Sequence, residues 1–510
     1  MLGRVTSLND VKDMPSTSDV LVVGAGPTGL TLACELRRRG IGCLVLERGE
    51  RLFPGSRGKG LQPRTLEVFD DLGIVDEVLA LGGPYPRMLL WRDGRPGEEF
   101  DMVGRAGPRP GVPYGDTVML PQWRTQELLY ARLRELGGEV TFGVGLAEGE
   151  GGLTQDADGV TARLTDGRTV RAAYAVGCDG GRSTTRAALG IRMEGERIDP
   201  EPTLVADVRL TGLDRDNWHV WHDERLGSLA LCPLAGTDTF QLISQHATLA
   251  DTADTAGAAG QHGALGALLA ARTHLAAGQL EEVVHASEFR ANAALAERFR
   301  SGRVFLAGDA AHIHSPAGGQ GLNTSVQDAY NLGWKLALVL AGHAGPGLLD
   351  TYEEERAPLA ADVLGLSTRL HRGPARRGPE THQLALTYRG CSLAPDPTAP
   401  GADPRDPGDP EGEPRLLPGD RAPDAPVRGD GGASRVFDLL RGPHFTLLAT
   451  EGAQPPARTP EFVRAYRVRA TGPYAPGTLH LVRPDGHLAV VTRDPARVGA
   501  FAASLGRTGE

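Results

Sequence analysis

Cysteine is scarce. Five residues in 510, Cys34, Cys43, Cys178, Cys232 and Cys391, are scattered without a C-x-x-C or a zinc-like Cys/His spacing. That excludes a disulfide framework and a structural zinc, and it leaves reduced core thiols in a cytoplasmic protein as the reading. Long apolar runs are missing too. The longest, such as Val20–Val23 and Leu336–Leu340, fall far short of the roughly 20 residues a membrane helix needs, so no membrane partner is expected. No basic-then-apolar leader opens the chain, and residues 1–18 read as a polar, aperiodic extension. Positive charge is not in excess: 54 Lys and Arg stand against 64 Asp and Glu, a net −10. Nucleic acid and other general polyanions are therefore poor partners. There is no internal repeat and no Ser/His/Asp or metal-ligand constellation.

What is abundant is glycine, and three Gly-rich segments carry the chemistry. The first is the apolar run Val20–Val23 followed by Gly24-Ala25-Gly26-Pro27-Thr28-Gly29, which ends eighteen residues before Glu47. Gly24 permits a tight turn, Gly26 lets backbone approach a pyrophosphate, and Gly29 lets the helix pack on the sheet. The helix amides then face the phosphates. A second buried strand, Cys43–Leu46, ends at Glu47, giving a βαβ unit with Arg37, Arg38 and Arg39 at the helix C-terminus and Gly40 as its cap. Glu47 can accept both ribose hydroxyls and would repel a 2′-phosphate, so the resident dinucleotide is FAD or NAD rather than NADP.

The second segment is Gly177-Cys178-Asp179-Gly180-Gly181-Arg182-Ser183. The third runs from Arg303-Val304-Phe305-Leu306-Ala307-Gly308-Asp309 to Pro316-Ala317-Gly318-Gly319-Gln320-Gly321-Leu322-Asn323. Asp309, at the carboxyl end of an apolar strand, is placed to bind the sugar portion of a ligand lying across a sheet. The loop before Gly321 allows close approach of a flat ring. If Gly321, Leu322 and Asn323 open a helix through Leu340, their amides face that ring and stabilise negative charge on it.

Other stretches divide the chain. Residues 85–114 are Pro/Gly-rich and read as an irregular insertion. Leu204–Leu210, Gly227–Leu234 and Thr239–Ser244 read as antiparallel strands of a β-rich insert. Eight prolines between Pro395 and Pro418 mark a linker, beyond which strand and helix patterns restart.

On these motifs, with Ser56–Glu67 and Leu349–Arg356, the chain resembles the single-component FAD-dependent aromatic hydroxylases of the p-hydroxybenzoate hydroxylase fold. More narrowly, it resembles the actinobacterial branch that hydroxylates aromatic polyketides and related antibiotics. The resemblance implies an α/β protein: a Rossmann-type FAD-binding domain (19–84, 115–191 and 285–370), an inserted antiparallel-sheet substrate domain (85–114 and 192–284), a helix plus Pro-rich linker (371–415) and a thioredoxin-like C-terminal domain (416–510) without cysteines. It implies FAD as cofactor, NADPH or NADH as transient electron donor and O2 as co-substrate. A C4a-hydroperoxyflavin then passes oxygen to a phenolic ring, in a monomer or homodimer.

For the cofactor it implies Gly24, Gly26, Pro27, Thr28, Gly29, Glu47, Arg48, Arg57, Lys59, Gln122, Asp179, Gly308, Asp309 and Gly319. Pro316, Gly321, Leu322 and Asn323 form the flavin-ring environment, and no general base is assigned. Trp221, one of two tryptophans flanking His219 and Val220, and Gln241 are the substrate candidates. Baeyer–Villiger oxygen insertion and a non-catalytic flavin-binding role remain open beside hydroxylation, whereas the W-x-W-x-I-P segment of a flavin halogenase is absent.

Overall fold

The computed structural model describes residues 14–199, 201–248, 258–372, 377–395, 416–429, 432–470 and 472–507. Residues 1–13 and most of the proline-rich stretch lie outside them. Five parallel strands form the spine of the first layer, in the order Val304–Leu306, Thr169–Gly177, Thr17–Val23, Cys43–Glu47 and Val140–Phe142. The first strand starts at Thr17, paired with Arg171, so Thr17 and Ser18 belong to the sheet and not to a loose extension. Helices Pro27–Arg37 and Gly321–Leu340 pack together on one face of this sheet. The second of these buries nearly its whole circumference from Asn323 to Leu338.

Arg38 and Arg39 do more than suit a helix dipole. They are largely buried, paired with the fully buried Glu35, and Arg38 reaches Asp71 at 2.6 Å.

A seven-stranded sheet stands beside the first layer in the order Leu280–Phe289, Thr203–Leu210, Phe240–Gln245, Gly227–Pro233, Asn217–Asp223, Arg87–Arg92 and Arg95–Phe100. Its last two strands correct the reading of 85–114 as irregular chain: they form a hairpin. Asp93 and Gly94 are both left-handed, with φ of 50° and 70°, the geometry an Asp-Gly type I′ turn requires. Pro96 and Gly97 are tolerated because Arg95–Phe100 is an exposed edge strand.

Period-2 alternation divides this sheet into two faces. Leu204, Ala206, Val208, Leu229, Leu231 and Leu242 bury the back against helix Ala258–Arg272 through Leu265 and Leu269.

The C-terminal unit has five strands. Numbered along the chain, they lie in the order 1-3-2-4-5: Val427–Gly429, Phe445–Thr450, Val463–Ala470, Leu479–Val482 and Leu488–Thr492 are the first to the fifth. Its core is continuous with Trp334, Leu338 and Leu348 of the first layer. All five cysteines of the chain are free thiols, and none lies in this unit.

Candidate active site

The first Gly motif is held by backbone contact. Gly24 has φ +104°, and a Cβ there would sit 2.5 Å from the Cys178 carbonyl oxygen; a Cβ at Gly29 would meet the Gly24 carbonyl at 2.0 Å. Gly26 is the opposite case, with nothing within 4 Å of an added Cβ. The turn is therefore clamped on one side and open at Gly26, at the N-terminus of the helix begun by Pro27 and Thr28. Such a cradle fits a pyrophosphate group.

Glu47 accepts the Ala25 amide at 3.0 Å and the Gly49 amide at 2.9 Å. These two bonds fix its carboxylate beside the cradle and leave lone pairs for ribose hydroxyls. Arg48 is exposed next to it. Asp309 is open to solvent yet walled by protein, as a residue on a cleft floor is. That enclosure pushes its carboxyl above the usual range, against the pull of His312 and Arg57. Gly308 beside it packs close to Thr28 and Ser325 and donates its amide to Asp328 at 3.0 Å. The open Gly26 turn, Glu47 and Asp309 are groups of the kind an FAD needs.

Below this floor runs a buried chain. His314 Nε2 meets His312 Nδ1 at 2.9 Å, His312 Nε2 meets Asp328 at 2.5 Å, and Arg356 donates to Asp328 at 2.8 Å. Burial alone would raise the Asp328 carboxyl; the His312 and Arg356 charges outweigh it and hold the group near 2. His312 is fully buried in this chain and anchors the floor.

Three segments distant in sequence meet at the ring end. Asn323 donates to the Gly60 and Gly319 carbonyls at 2.8 and 2.7 Å, and its Oδ1 accepts from the Gln62 amide at 2.8 Å. Its side chain is a staple; only its backbone, with Gly321 and Leu322, sits at the start of the helix. Gly58 lies against Leu322, where an added Cβ would be 3.0 Å from Cδ1. Pro316 is exposed on the loop before the helix, and Gly319 is half-buried.

Several of the expected cofactor residues also have partners within the protein. Gln122 accepts the Gly58 amide at 3.0 Å, so its oxygen holds the loop. Asp179 accepts Ser183 Oγ and the Thr185 amide, so its carboxylate shapes its own turn. Lys59 turns away from the cofactor line: its Nζ donates to Gln241 Oε1 and lies 4.3 Å from the Trp218 ring centre. Arg57 is exposed, stacks over Phe53 at 5.2 Å, and its charge acts on both Asp309 and His285.

The substrate candidates separate by face. Gln241 is on the front of the seven-stranded sheet, under the Ser56–Lys59 loop. Trp221 is on the back, in the cluster with Leu265 and Leu269, and stacks on Trp91 at 5.7 Å. The front-facing tryptophan is Trp218, so Trp221 is corrected to a core residue. Across the front the register runs Met88–Trp218, then Cys232–Gln241, Gln241–Asp207 and Asp207–His285. The next row holds the half-buried apolar side chains Leu90, Val220, Ala230 and Ile243. Asp207, His285 and Ser56 escaped the sequence reading. The one signal was a carboxylate interrupting Leu204–Leu210.

Among the described residues no His/Cys/Asp/Glu group is placed to hold a metal, and no helix is long and apolar enough to cross a membrane.

A clamped Gly turn, an acid at the second strand's end and an enclosed Asp before a helix N-terminus define a flavin-dependent oxidoreductase of the doubly wound class. Residues 17–367 match the FAD binding domain family, and residues 415–508 match the aromatic-ring hydroxylase C-terminal domain. The chain belongs to the FAD-dependent aromatic-ring hydroxylases: it is a flavoprotein monooxygenase, with FAD as cofactor and NAD(P)H and O2 as the co-substrates of its class. It is 45% identical to a flavin-dependent monooxygenase of Mycobacteroides abscessus, over 95% of this chain and 99% of that one. It is 37% identical to the 12-dehydrotetracycline 5-monooxygenase/anhydrotetracycline 6-monooxygenase of Streptomyces rimosus, over 92% and 94% of the two chains. The structure of aklavinone-11 hydroxylase with FAD and aklavinone superposes with a TM-score of 0.76 at 31% identity, covering 96% of this chain and 99% of that one.

Proposed function

We propose that this monooxygenase hydroxylates a polycyclic phenolic compound of the aromatic-polyketide kind. The compound binds between the front of the seven-stranded sheet and the Ser56–Lys59 and Pro316–Asn323 loops. The observation that carries this reading is the front face itself. A half-open apolar row (Leu90, Val220, Ala230, Ile243) suits the flat body of an aromatic, and the row beside it offers Trp218, Gln241 and Asp207. Relatives named for tetracycline substrates support the class.

When bound, the flavin supplies reducing equivalents and the activated oxygen. The chain's own work is then definite. The Gly26, Thr28 and Gly29 amides would hold the pyrophosphate, Glu47 the ribose, and Asp309 the polyol. The Gly321 and Leu322 amides lie at the ring edge, where the helix N-terminus favours negative charge. The sheet and loops exclude water, so oxygen reaches the substrate before it is lost as peroxide. The protein works as a cytoplasmic monomer or homodimer, with 85–114 and 192–284 covering the substrate.

The test is NAD(P)H oxidation by the FAD-loaded protein under labelled O2 across polyphenols, quinones and hydroxyanthraquinones. One labelled oxygen on a ring carbon supports hydroxylation. Label in a new lactone shifts the assignment to Baeyer–Villiger insertion, and no label in any compound refutes both.

A further inference from the structure

Four polar side chains converge on the front row and are left with unused hydrogen-bonding atoms. Asp207 is 2% exposed and Gln241 1%. Neither Asp207 oxygen nor the Gln241 Nε2 has a partner among the described residues, and the same holds for Ser56 Oγ and His285 Nε2. Ser56 lies near enough to favour the Asp207 carboxylate without closing a hydrogen bond in standard geometry. Buried polar atoms without partners are rare, and each calls for a water or a ligand group. Asp207 and Gln241 are directly opposed across neighbouring antiparallel strands, which places their side chains side by side on one face. One offers only acceptors, the other an unused donor.

Resting on the hydroxylase reading above, we propose that Asp207 and Gln241 form the substrate-recognition pair. Asp207 accepts the hydrogen bond of a phenolic or enolic hydroxyl, and Gln241 Nε2 donates to the carbonyl oxygen adjacent to that hydroxyl. The site thereby selects aromatic hydroxy-ketones over simple phenols or fully O-alkylated rings. Lys59 positions this pair: it fixes the Gln241 amide through Oε1, which forces Nε2 to be the free atom. A carboxylate hydrogen-bonded to the hydroxyl also enriches electron density on the ring it must make reactive.

Protonation of Asp207 bears on this. Burial pushes its carboxyl up to about 6, with Ser56 and Lys59 acting the other way. The groups facing this row are Lys59, Arg57 and Arg51 from the loop side, His285 and Cys232 from the flanking strands, and Arg377 over Tyr85. His285 is held below its usual range by burial and by Arg57 and Arg51. The acceptor carboxylate is present above about pH 6 and lost below it.

The experiment uses the FAD-loaded enzyme and two probes, 1-hydroxyanthraquinone and its O-methyl ether, with equilibrium binding read from their visible absorbance. In the unaltered protein at pH 7.5 the hydroxy probe binds at least about tenfold more tightly, the worth of one hydrogen bond to a charged group. Its affinity rises as pH goes from 5 to 7. In Asp207→Asn both the preference and the pH dependence collapse. In Gln241→Leu both probes bind more weakly, since both carry the carbonyl, while the preference and the pH dependence stay. The flavin-to-protein ratio checks the fold of each variant; should Asp207→Asn lose flavin, Gln241→Leu decides alone. Equal affinity for the two probes in the unaltered protein, or no binding of either, means the four side chains hold water only and overturns the proposal. So does undiminished preference in Asp207→Asn, or undiminished affinity for both probes in Gln241→Leu. Absence of labelled oxygen in every aromatic compound refutes the hydroxylase reading instead, since the binding preference is measured without turnover.

Discussion

Replacing Glu355 with Gln tests how the C-terminal unit is attached. Glu355 is fully buried, 2.7 Å from Lys335 Nζ and 2.6 Å from Arg483 Nη1. Arg483 also pairs with Asp485 at 2.5 Å, and Asp485 accepts from Trp334 Nε1 at 3.1 Å. Gln keeps the shape and removes one negative charge from a closed set of two cations and two anions. An uncompensated buried cation costs about 3–5 kcal/mol.

The readout depends on what unfolds. If the whole chain melts as one unit, its unfolding entropy converts that loss to roughly 3–5 °C in Tm. If 415–508 melts alone, the much smaller entropy gives about 15–25 °C and a separate calorimetric peak. Burial opposes ionisation of Glu355, but Arg483 and Lys335 outweigh it and hold the carboxyl at about 2, below the unfolded value of 4.5. Its stabilisation is therefore complete above pH 4.5 and lost as pH falls towards 2. The wild-type acid arm should be steeper than that of Glu355→Gln between those values. Calorimetry across pH 2–7 checks both. A shift below about 1 °C at pH 7, or identical acid arms, refutes the claim that this cluster welds the two units.

Gly24→Ala puts a Cβ 2.5 Å from the Cys178 carbonyl at a φ of +104°. The purified variant should retain less than about a tenth of the flavin, by absorbance ratio, given the several kcal/mol such strain costs. Trp218→Ala should weaken aromatic-probe binding with little change in Tm, whereas Trp221→Ala should lower stability by about 3–5 kcal/mol and leave probe affinity unchanged; the reverse pattern refutes the assignment of faces. Asp328→Asn removes the partner of Gly308, His312 and Arg356, so it should lower both Tm and flavin content. Because the carboxyl is held near 2, below its unfolded value, the contribution Asp328 makes is present above about pH 4 and fades below that; denaturation midpoints at pH 3 and pH 7 check this.

The parts of the molecule legible in sequence are those where backbone geometry dictates residue type. Gly24 and Gly29 admit no side chain, and Glu47 must end its strand to meet the Ala25 amide. Asp309 must follow an apolar strand. The rest depended on which way a side chain points. Trp218 and Trp221, three positions apart on one strand, take opposite faces, and sequence alone does not say which of the two faces is covered by a helix. No spacing rule ties Lys59 to Gln241, 182 positions apart. Asp93-Gly94, by contrast, was a readable hairpin signal masked by Pro96 and Gly97 nearby. The ion pairs of Asp70 with Arg435 and Arg441 join segments that only tertiary structure brings together.

Those long-range pairs help tie the C-terminal unit to the two elements that frame the ring end. The helix Gly321–Leu340 presents its N-terminal amides to the ring end of the site. Its other half is fixed by the C-terminal unit. Asn331 donates to Glu355 at 2.7 Å and to Asp485 at 3.2 Å, and Trp334 packs edge-on against Phe445 at 5.4 Å. The loop that supplies Gly58 and Lys59 leads into helix Pro63–Leu72, where Arg64 donates to the Asp485 carbonyl at 2.6 Å and Glu67 pairs with Arg421. Both walls of the ring end are thus set from the same unit, roughly one helix length away. A misplacement of about 1 Å at a reacting centre costs on the order of a hundredfold in rate. Buried charge is a weak source of stability but a strict one of register. The C-terminal unit is therefore tied to the helix and to the loop-bearing segment that frame the ring end, and loosening it in Glu355→Gln should lower turnover as well as Tm.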